Sequence, residues 1–279
     1  MANQYMSMEN LRFLLHEVHK VKELLSKPRF KDFDEESINM MLDAAKDIAD
    51  QEMFPVFREM DEKPAYYEDG KVFAHPSLGK ILEAVAENGW IGSHFNYEHG
   101  GSQMPKMVHG AANHIFEAAN NHFPGYIGLT TGAASLIKSF GSQDLIDTYL
   151  PKMIEGKWLG TMALTEPQAG SSLSDITTSA CPSENGYYKI KGQKIFISGG
   201  DHQFGENFIH LTLARIEGAP AGTKGISLFV VPKFRPSNNG NLTFNDVLTA
   251  GDFQKMGQRG YTTTHLVYGA YNDCHGWLV

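Results

Sequence analysis

The chain is short of cysteine, of positive charge and of long apolar runs, and each shortage closes off a class of function. Its two cysteines, Cys181 and Cys274, stand far apart and form no CxxC pair. That argues against both a disulfide-stapled scaffold and a thiolate metal site. Asp and Glu outnumber Lys and Arg by 32 to 24, a formal net charge of −8. A broad nucleic-acid or anionic-membrane surface needs clustered basic residues, so no nucleic-acid partner is expected, although local basic patches stay open. No apolar run approaches the roughly 20 residues that cross a bilayer. The opening MANQYMSMEN puts no apolar stretch behind a basic start, so neither a membrane span nor a secretory leader is expected. The setting implied is a reducing cytoplasm. Also missing are a GxGxxG after a strand, a GxxxxGK[ST] loop and a GxSxG elbow.

Histidine is plentiful, with 12 residues, but not in metal-binding patterns. His16 and His19 lack the four-residue step that puts two imidazoles on one helix face, His94 and His99 fall in a loop, and His109 and His114 are five apart. Ordinary surface or core histidines are expected, and no metal. The triplet Asn241-Leu242-Thr243 fits a glycosylation acceptor, which without a secretory leader reads as a chance match.

The pattern changes near residue 156. Before it the apolar spacing is helical: Ile38, Met41, Leu42, Ala45, Ile48 and Ala49 recur at three- and four-residue steps behind Asp34 or Glu35. Leu78, Ile81, Leu82 and Val85 repeat it and stop at a capping Asn88-Gly89. Further helices are predicted over about 105 to 121, 125 to 140 and 142 to 155. After Gly156 short alternating runs take over. Tyr188 and Ile190, then Ile195 and Ile197, share a strand face with Gly192 as turn or bulge, and "NFIHLTLARI", "GISLFVVP" and "THLVYGAY" read as further strands. The expected fold is α+β, a helical domain over 1–155 followed by a small barrel or sandwich over 156–279.

Two segments carry chemistry. In "LTEPQAGSSLSD", Pro167 takes the chain out of a strand, and Gly170, Ser171 and Ser172 offer amides and hydroxyls with little steric cover. Such a nest suits a phosphate or the edge of a polar heterocycle; a plain Ser/Gly turn reads the same way. In "GQKIFISGG", Phe196 and Ser198 put an aromatic ring and a hydroxyl two apart on one strand face, which alone is ordinary strand chemistry.

Together the two segments resemble the acyl-CoA dehydrogenase family, flavoenzymes of fatty acid metabolism that desaturate acyl-CoA thioesters between Cα and Cβ. "YLPKMIEGKWLGTMALTEPQAGSSLSD", "YKIKGQKIFISGG", "LTLAR", "KGISLFVVPK" and "KMGQRG" follow in the family's order. "ENLRFLLHEV" and "GAPAGTKGISLFVVPKF" are similar to the long subgroup that includes methylmercaptopropionyl-CoA dehydrogenases. The resemblance implies a helical N-terminal domain and a central β-barrel that share an FAD cleft with a C-terminal helical bundle. It maps the flavin-contacting run onto Met162, Ala163, Leu164, Thr165, Glu166, Pro167, Gln168, Ala169, Gly170 and Ser171. By it, Thr165 meets the pyrimidine edge of the flavin and Ser171 lies near the pyrophosphate or the CoA end of the substrate. Phe196, Ile197 and Ser198 form the second contact, with the Ser198 hydroxyl near flavin N5. The acyl chain is expected along residues 122–136.

Departures from the family's pattern are visible. Many members have Trp at the position of Phe196, Thr at that of Ser198, and Asp at that of Ser172, where this chain reaches Asp175 three residues later. The reaction implied removes an α-proton to a carboxylate base while the β-hydrogen leaves as hydride to the flavin. The base glutamate is expected in a C-terminal domain absent from these 279 residues, so no catalytic residue is assigned within them and the chain alone is expected to be inactive. Glu166 belongs to the flavin motif. Electron-transferring flavoprotein is the acceptor implied, and a homo-oligomer if a C-terminal domain completes the molecule. A flavin oxidase or monooxygenase of the same fold, and a non-catalytic binding or remnant protein, are the alternatives.

Overall fold

The computed structural model describes residues 5–237 and 239–279. The first four residues of the polar opening, and Asn238, lie outside the described residues. Two short helices, α1 (Met8–Phe13) and α2 (Val21–Leu25), lead to α3 (Glu35–Ile48). Asp34 starts α3 through a capping box: its carboxylate accepts the Ser37 amide at 2.7 Å, and the Asp34 amide donates to the Ser37 hydroxyl at 2.9 Å. α4 (Phe57–Glu62) follows, then α5 (Ser77–Glu87), which ends at Asn88 with Gly89 in the left-handed region at φ +70°. α6 (Lys106–Ala119), α7 (Pro124–Phe140) and α8 (Gln143–Ile154) occupy the remaining predicted spans, with Ser142 capping the last.

The first half is not wholly helical. A hairpin, β1 (Tyr66–Glu68) and β2 (Lys71–Phe73), turns on Asp69 and Gly70, both at positive φ. An Asp-Gly pair between short strands is the chemistry of a two-residue hairpin turn, and a helical reading of this region overlooks it.

After Gly156 the strands build a barrel rather than a sandwich. β3 (Trp158–Ala163), β4 (Ser179–Pro182), β5 (Tyr188–Ser198), β6 (Asn207–Ile216) and β7 (Ile226–Pro232) come first. Then come β8 (Phe234–Pro236), β9 (Leu242–Phe244), β10 (Val247–Asp252), β11 (Thr263–Tyr268) and β12 (Cys274–Leu278). β5 pairs with β12, β12 with β7, β7 with β6, β6 with β4, and β4 with β5, so five strands close a ring. β3 continues the edge of β6 in parallel, and β11 with β10 continues the edge of β5.

The alternation of β6 has a different meaning from a simple inside and outside. Ile209 and Leu211 face helices, packed with Ala133, Ile137, Tyr149 and Leu150 of α7 and α8. His210 and Thr212, on the opposite face, are buried too. The His210 Nδ1 lies 2.8 Å from the Thr161 hydroxyl, and Thr212 donates to the Tyr268 hydroxyl at 3.3 Å. Both faces of this strand are covered, which is why its polar positions need internal partners. α7 approaches β3 closely: Gly160 donates its amide to the Thr130 hydroxyl at 3.0 Å, and a Cβ there would stand 2.7 Å from that of Ala133.

Candidate functional site

The first segment leaves the barrel after Ala163. Glu166 and Ala169 exchange both backbone hydrogen bonds, at 2.8 and 3.0 Å, and so fold Glu166–Ala169 into a tight turn. The Glu166 side chain, 2% exposed, holds the turn from below. It accepts from the Lys194 ammonium at 2.7 Å, the Thr177 amide at 2.7 Å and hydroxyl at 2.9 Å, the Thr178 amide at 3.1 Å, and the Gln168 amide at 2.8 Å. Burial alone would raise this carboxyl, but the Lys194 ammonium, Thr178 and the Thr177 amide outweigh burial and hold it at about 2. A carboxylate so occupied has no free lone pair with which to take a proton from substrate. Its role is to anchor the loop.

Lys194, fully buried, also donates to the Leu164 carbonyl at 3.0 Å, and the next residue, Ile195, donates its amide to the Thr165 carbonyl at 2.9 Å. These bonds bring the two segments together. Just beyond them, between the paired Lys194–Leu266 and Ile197–Thr264, β5 has two residues, Ile195 and Phe196, where β11 has one, His265. The extra residue is a bulge, and Phe196 sits in it at φ +57°. A bulky residue in the left-handed region stores ~1–3 kcal/mol, which the surrounding strands must hold in place. Predicted at Gly192, the bulge falls instead at Ile195–Phe196. Gly192 stays in the strand, paired with Tyr268, and is glycine there because a Cβ would stand 2.7 Å from the Thr178 Cα. The shift also turns Lys194 and Ile197 inward, where Ile195 and Ile197 were expected to share a face.

Each residue expected at the site has a definite place. Met162 is half-buried at the end of β3, and Leu164 and Thr165 are half-buried on the exit. The Thr165 carbonyl is used by Ile195, leaving its amide and hydroxyl without partners among the described residues. Gly170 and Ser171 are exposed at the lip, with 3.9 Å between the Thr165 Cγ2 and the point where a Gly170 Cβ would be. The amides of Gly170, Ser171 and Ser172 donate to nothing among the described residues. Phe196 is 55% exposed and pairs with Phe253, ring centroids 4.4 Å apart, while Ile197 is buried. Ser198, half-buried, is the register partner of Thr263 and leads into Gly199 at φ +64° beside Tyr126 and Tyr261. No hydrogen bond ties Ser171 to the Phe196–Ser198 strand; the two lie on separate elements of the lip. A second carboxylate, Asp252, ends β10 opposite the start of β11. Its Oδ1 accepts the Thr263 amide at 2.7 Å, and burial raises its proton affinity.

A flat aromatic ligand with a hydrogen-bonding edge and an anionic tail suits this set: an exposed ring, free hydroxyls at Thr165 and Ser198, and three unused amides at the lip. Comparison with known proteins shows the family. The model of the acyl-CoA dehydrogenase N-terminal domain matches residues 35–157, and that of the middle domain matches 161–270. The chain belongs to the acyl-CoA dehydrogenase family.

Within the family, it is 34% identical over 283 residues to a butyryl-CoA dehydrogenase of Syntrophomonas wolfei, covering 99% of this chain and 46% of that protein. It is 38% identical over 220 residues to the 3-methylmercaptopropionyl-CoA dehydrogenase of Ruegeria pomeroyi, covering 78% and 37%. The chain thus spans about half, or less, of the length of these relatives. Among solved structures, butyryl-CoA dehydrogenase of Megasphaera elsdenii superposes with a TM-score of 0.67 at 23% identity, over 86% of this chain and 56% of that one. An acyl-CoA dehydrogenase of Bacillus anthracis complexed with FAD gives 0.69 at 22%, over 89% and 37%. At that identity the likeness is one of fold. No helix of the described residues is long and apolar enough to cross a membrane.

Sequence reasoning missed Lys194, Thr177 and Thr178, the partners that fix Glu166. A lysine at an inward strand position, two residues before an exposed Phe, was the available signal.

Proposed function

We propose that this chain supplies the flavin side of an FAD-dependent acyl-CoA dehydrogenase, acting on an acyl-CoA thioester. The supporting observation is the bridge from Lys194 and Ile195 to Leu164 and Thr165, which sets the small-residue lip beside the strained bulge that presents Phe196. FAD supplies hydride acceptance when bound. Around it, the Thr165 hydroxyl and amide meet the pyrimidine edge, the amides of Gly170–Ser172 meet phosphate, the Phe196 ring covers a flavin face, and the Ser198 hydroxyl orients the ring at its hydride-accepting edge. Ser171 also serves the CoA end of the substrate, and the exposed face of α7 borders the acyl chain.

The α-proton needs a base, and the carboxylates beside the site are engaged: Glu166 by five donors, and Asp252 with its free Oδ2 shut off from solvent. The base comes from a further helical segment, as do much of the FAD grip and the oligomer interface, and electrons pass on to an electron-transferring flavoprotein. The 279 residues alone therefore bind FAD weakly and do not turn over. Titrating the chain with FAD while following flavin fluorescence, then adding butyryl-CoA with a dye acceptor, tests this. Quenching without dye reduction is the expected result. No quenching at excess FAD would sink the flavin reading, turnover would sink the missing base, and rapid reoxidation of reduced flavin by oxygen would favour an oxidase.

A further inference from the structure

Two exposed features of the helical half have no partner within the chain. The first is a ridge. α1 runs without a break into one wide π-helical turn, Leu14–Val18, and the two together carry an inner and an outer apolar stripe. Leu11 and Leu15 are buried in the core, whereas Phe13, Leu14 and Val18 are 57%, 45% and 52% exposed. A surface helix ordinarily turns one apolar stripe to the core and leaves the rest polar, so three large apolar side chains on the outer side mark a contact surface. Cations follow the ridge directly. From Phe13 to Lys31 there are five, Lys20, Lys22, Lys27, Arg29 and Lys31, against two carboxylates, Glu17 and Glu23, in a chain whose net charge is −8. Glu35 holds Lys22 at 3.2 Å and Glu23 lies 4.0 Å from Lys20, while Lys27 and Lys31 pair with no carboxylate among the described residues.

The second is a groove of about 670 Å³ between α5, the turn that leads into β3 and the loop from β5 to β6. Its floor is apolar. Leu82 and Ala86 stand one turn apart on α5, and the Phe204 ring lies so close over Gly79 that a Cβ there would be 2.7 Å from it. The rim is acidic. Glu83 and Glu87, also one turn apart, line it together with Glu155 and Glu206. Lys152 at 3.2 Å and Lys157 at 3.0 Å neutralise Glu155, and Lys157 is the only cation of the lining. Glu83, Glu87 and Glu206 are exposed and form no ion pair among the described residues.

Ridge and groove are complementary: an apolar centre followed by cations on one, an apolar floor rimmed by carboxylates on the other. They cannot meet within one copy, because Leu11 and Leu15 behind the ridge and Leu82 in the groove are fixed in the same core. Every copy carries both halves of the contact. We propose that the Phe13–Val18 ridge of one copy docks into the α5 groove of a second, with Lys20 and Lys27 turned toward the unpaired carboxylates. Apolar burial supplies the affinity, and the charges set orientation and the rate of encounter. A contact between unlike patches closes into a dimer when exchanged reciprocally and otherwise extends into longer chains. It is separate from any interface that the further helical segment provides, and it does not depend on the flavin.

Sedimentation equilibrium of the 279-residue chain between about 1 μM and about 1 mM reads the contact. Association is expected to grow with concentration and to weaken from about 0.05 M to about 0.5 M salt. Glu83→Lys with Glu87→Lys, and separately Lys20→Glu with Lys27→Glu, are each expected to weaken it at least about tenfold. Mixed one to one, the two variants are expected to recover association, because each then meets the opposite charge; a merely structural effect of either would not be repaired. Phe204→Ser tests the apolar floor without touching a charge and is expected to weaken association too, with the urea midpoint showing that each variant is folded. A chain monomeric throughout the range, association that both charge variants leave intact, no recovery on mixing, or Phe204→Ser without effect would each overturn the proposal and leave ridge and groove to other partners.

Discussion

Replacing Lys194 with Met tests the view that Glu166 is an anchor and not a base. The substitution keeps the length of the buried side chain and removes its ammonium. Glu166 then retains four donors, from Thr177 (two), Thr178 and Gln168, but loses its only cation, and the Leu164 carbonyl loses its 3.0 Å partner. Breaking one side of a buried ion pair costs about 3–5 kcal/mol. The remaining donors soften this and the lost bond to Leu164 adds about 1 kcal/mol, so a net loss near 3–4 kcal/mol is expected. For a chain of this size that lowers Tm by about 6–15 °C.

A pH signature distinguishes charge from packing. In the wild type the depressed Glu166 carboxyl contributes stability that is present above its unfolded value of about 4.3 and is lost as pH falls toward 2. Without Lys194 the carboxyl keeps four donors but loses its cation, so its proton affinity rises from about 2; the loss relative to wild type is full above the unfolded value of about 4.3 and shrinks as pH falls below it. Urea unfolding followed by tryptophan fluorescence at about pH 7.5 and about pH 3 gives the comparison with wild type. The double variant Glu166→Gln with Lys194→Met is expected to lose clearly less than the sum of the singles. A loss under about 1 kcal/mol at pH 7.5, a pH-independent loss, or additivity in the double variant would refute the ion-pair account.

Three further outcomes follow from the geometry. Phe196→Gly removes the ring but suits φ +57°, so stability should hold or rise by up to ~1 kcal/mol while FAD affinity falls; unchanged affinity would detach Phe196 from the site. Gly160→Ala would put a Cβ 2.7 Å from that of Ala133 and 2.8 Å from the Met153 Cε, and calorimetry should show a loss of ~1–3 kcal/mol. His202 and His210 are fully buried, and burial, followed by the Lys233 charge, lowers both to about 3. Their folded values lie below the unfolded one, so the unfolded chain takes up protons first and stability falls from about pH 6.5 downward, by at most ~1.4 kcal/mol per pH unit for each imidazole. A flat urea midpoint between pH 7 and 5 would contradict their buried neutral state.

The order of helices and strands was legible in residue order alone, because apolar period and caps are local properties. Asp34 with Ser37, Asn88 with Gly89, and Ser142 each mark a helix end within a few residues of sequence. The Asp69-Gly70 hairpin was equally local and was passed over only because helical spacing surrounds it. The two motif segments were legible as well, since each is a short contiguous run with a distinctive composition.

Tertiary structure decided how those runs meet. Glu166 and Lys194 are 28 residues apart, and only the meeting of the loop after β3 with β5 buries them against each other. The bulge that presents Phe196 depends on register with β11, nearly seventy residues later, a long-range pairing that no local period encodes. By itself the sequence determined the elements and the two motif segments, because hydrophobic period, caps and turn residues act over one or two turns of chain. Burial, register and proton affinity were decided by contacts across the fold, because they depend on what stands opposite each side chain.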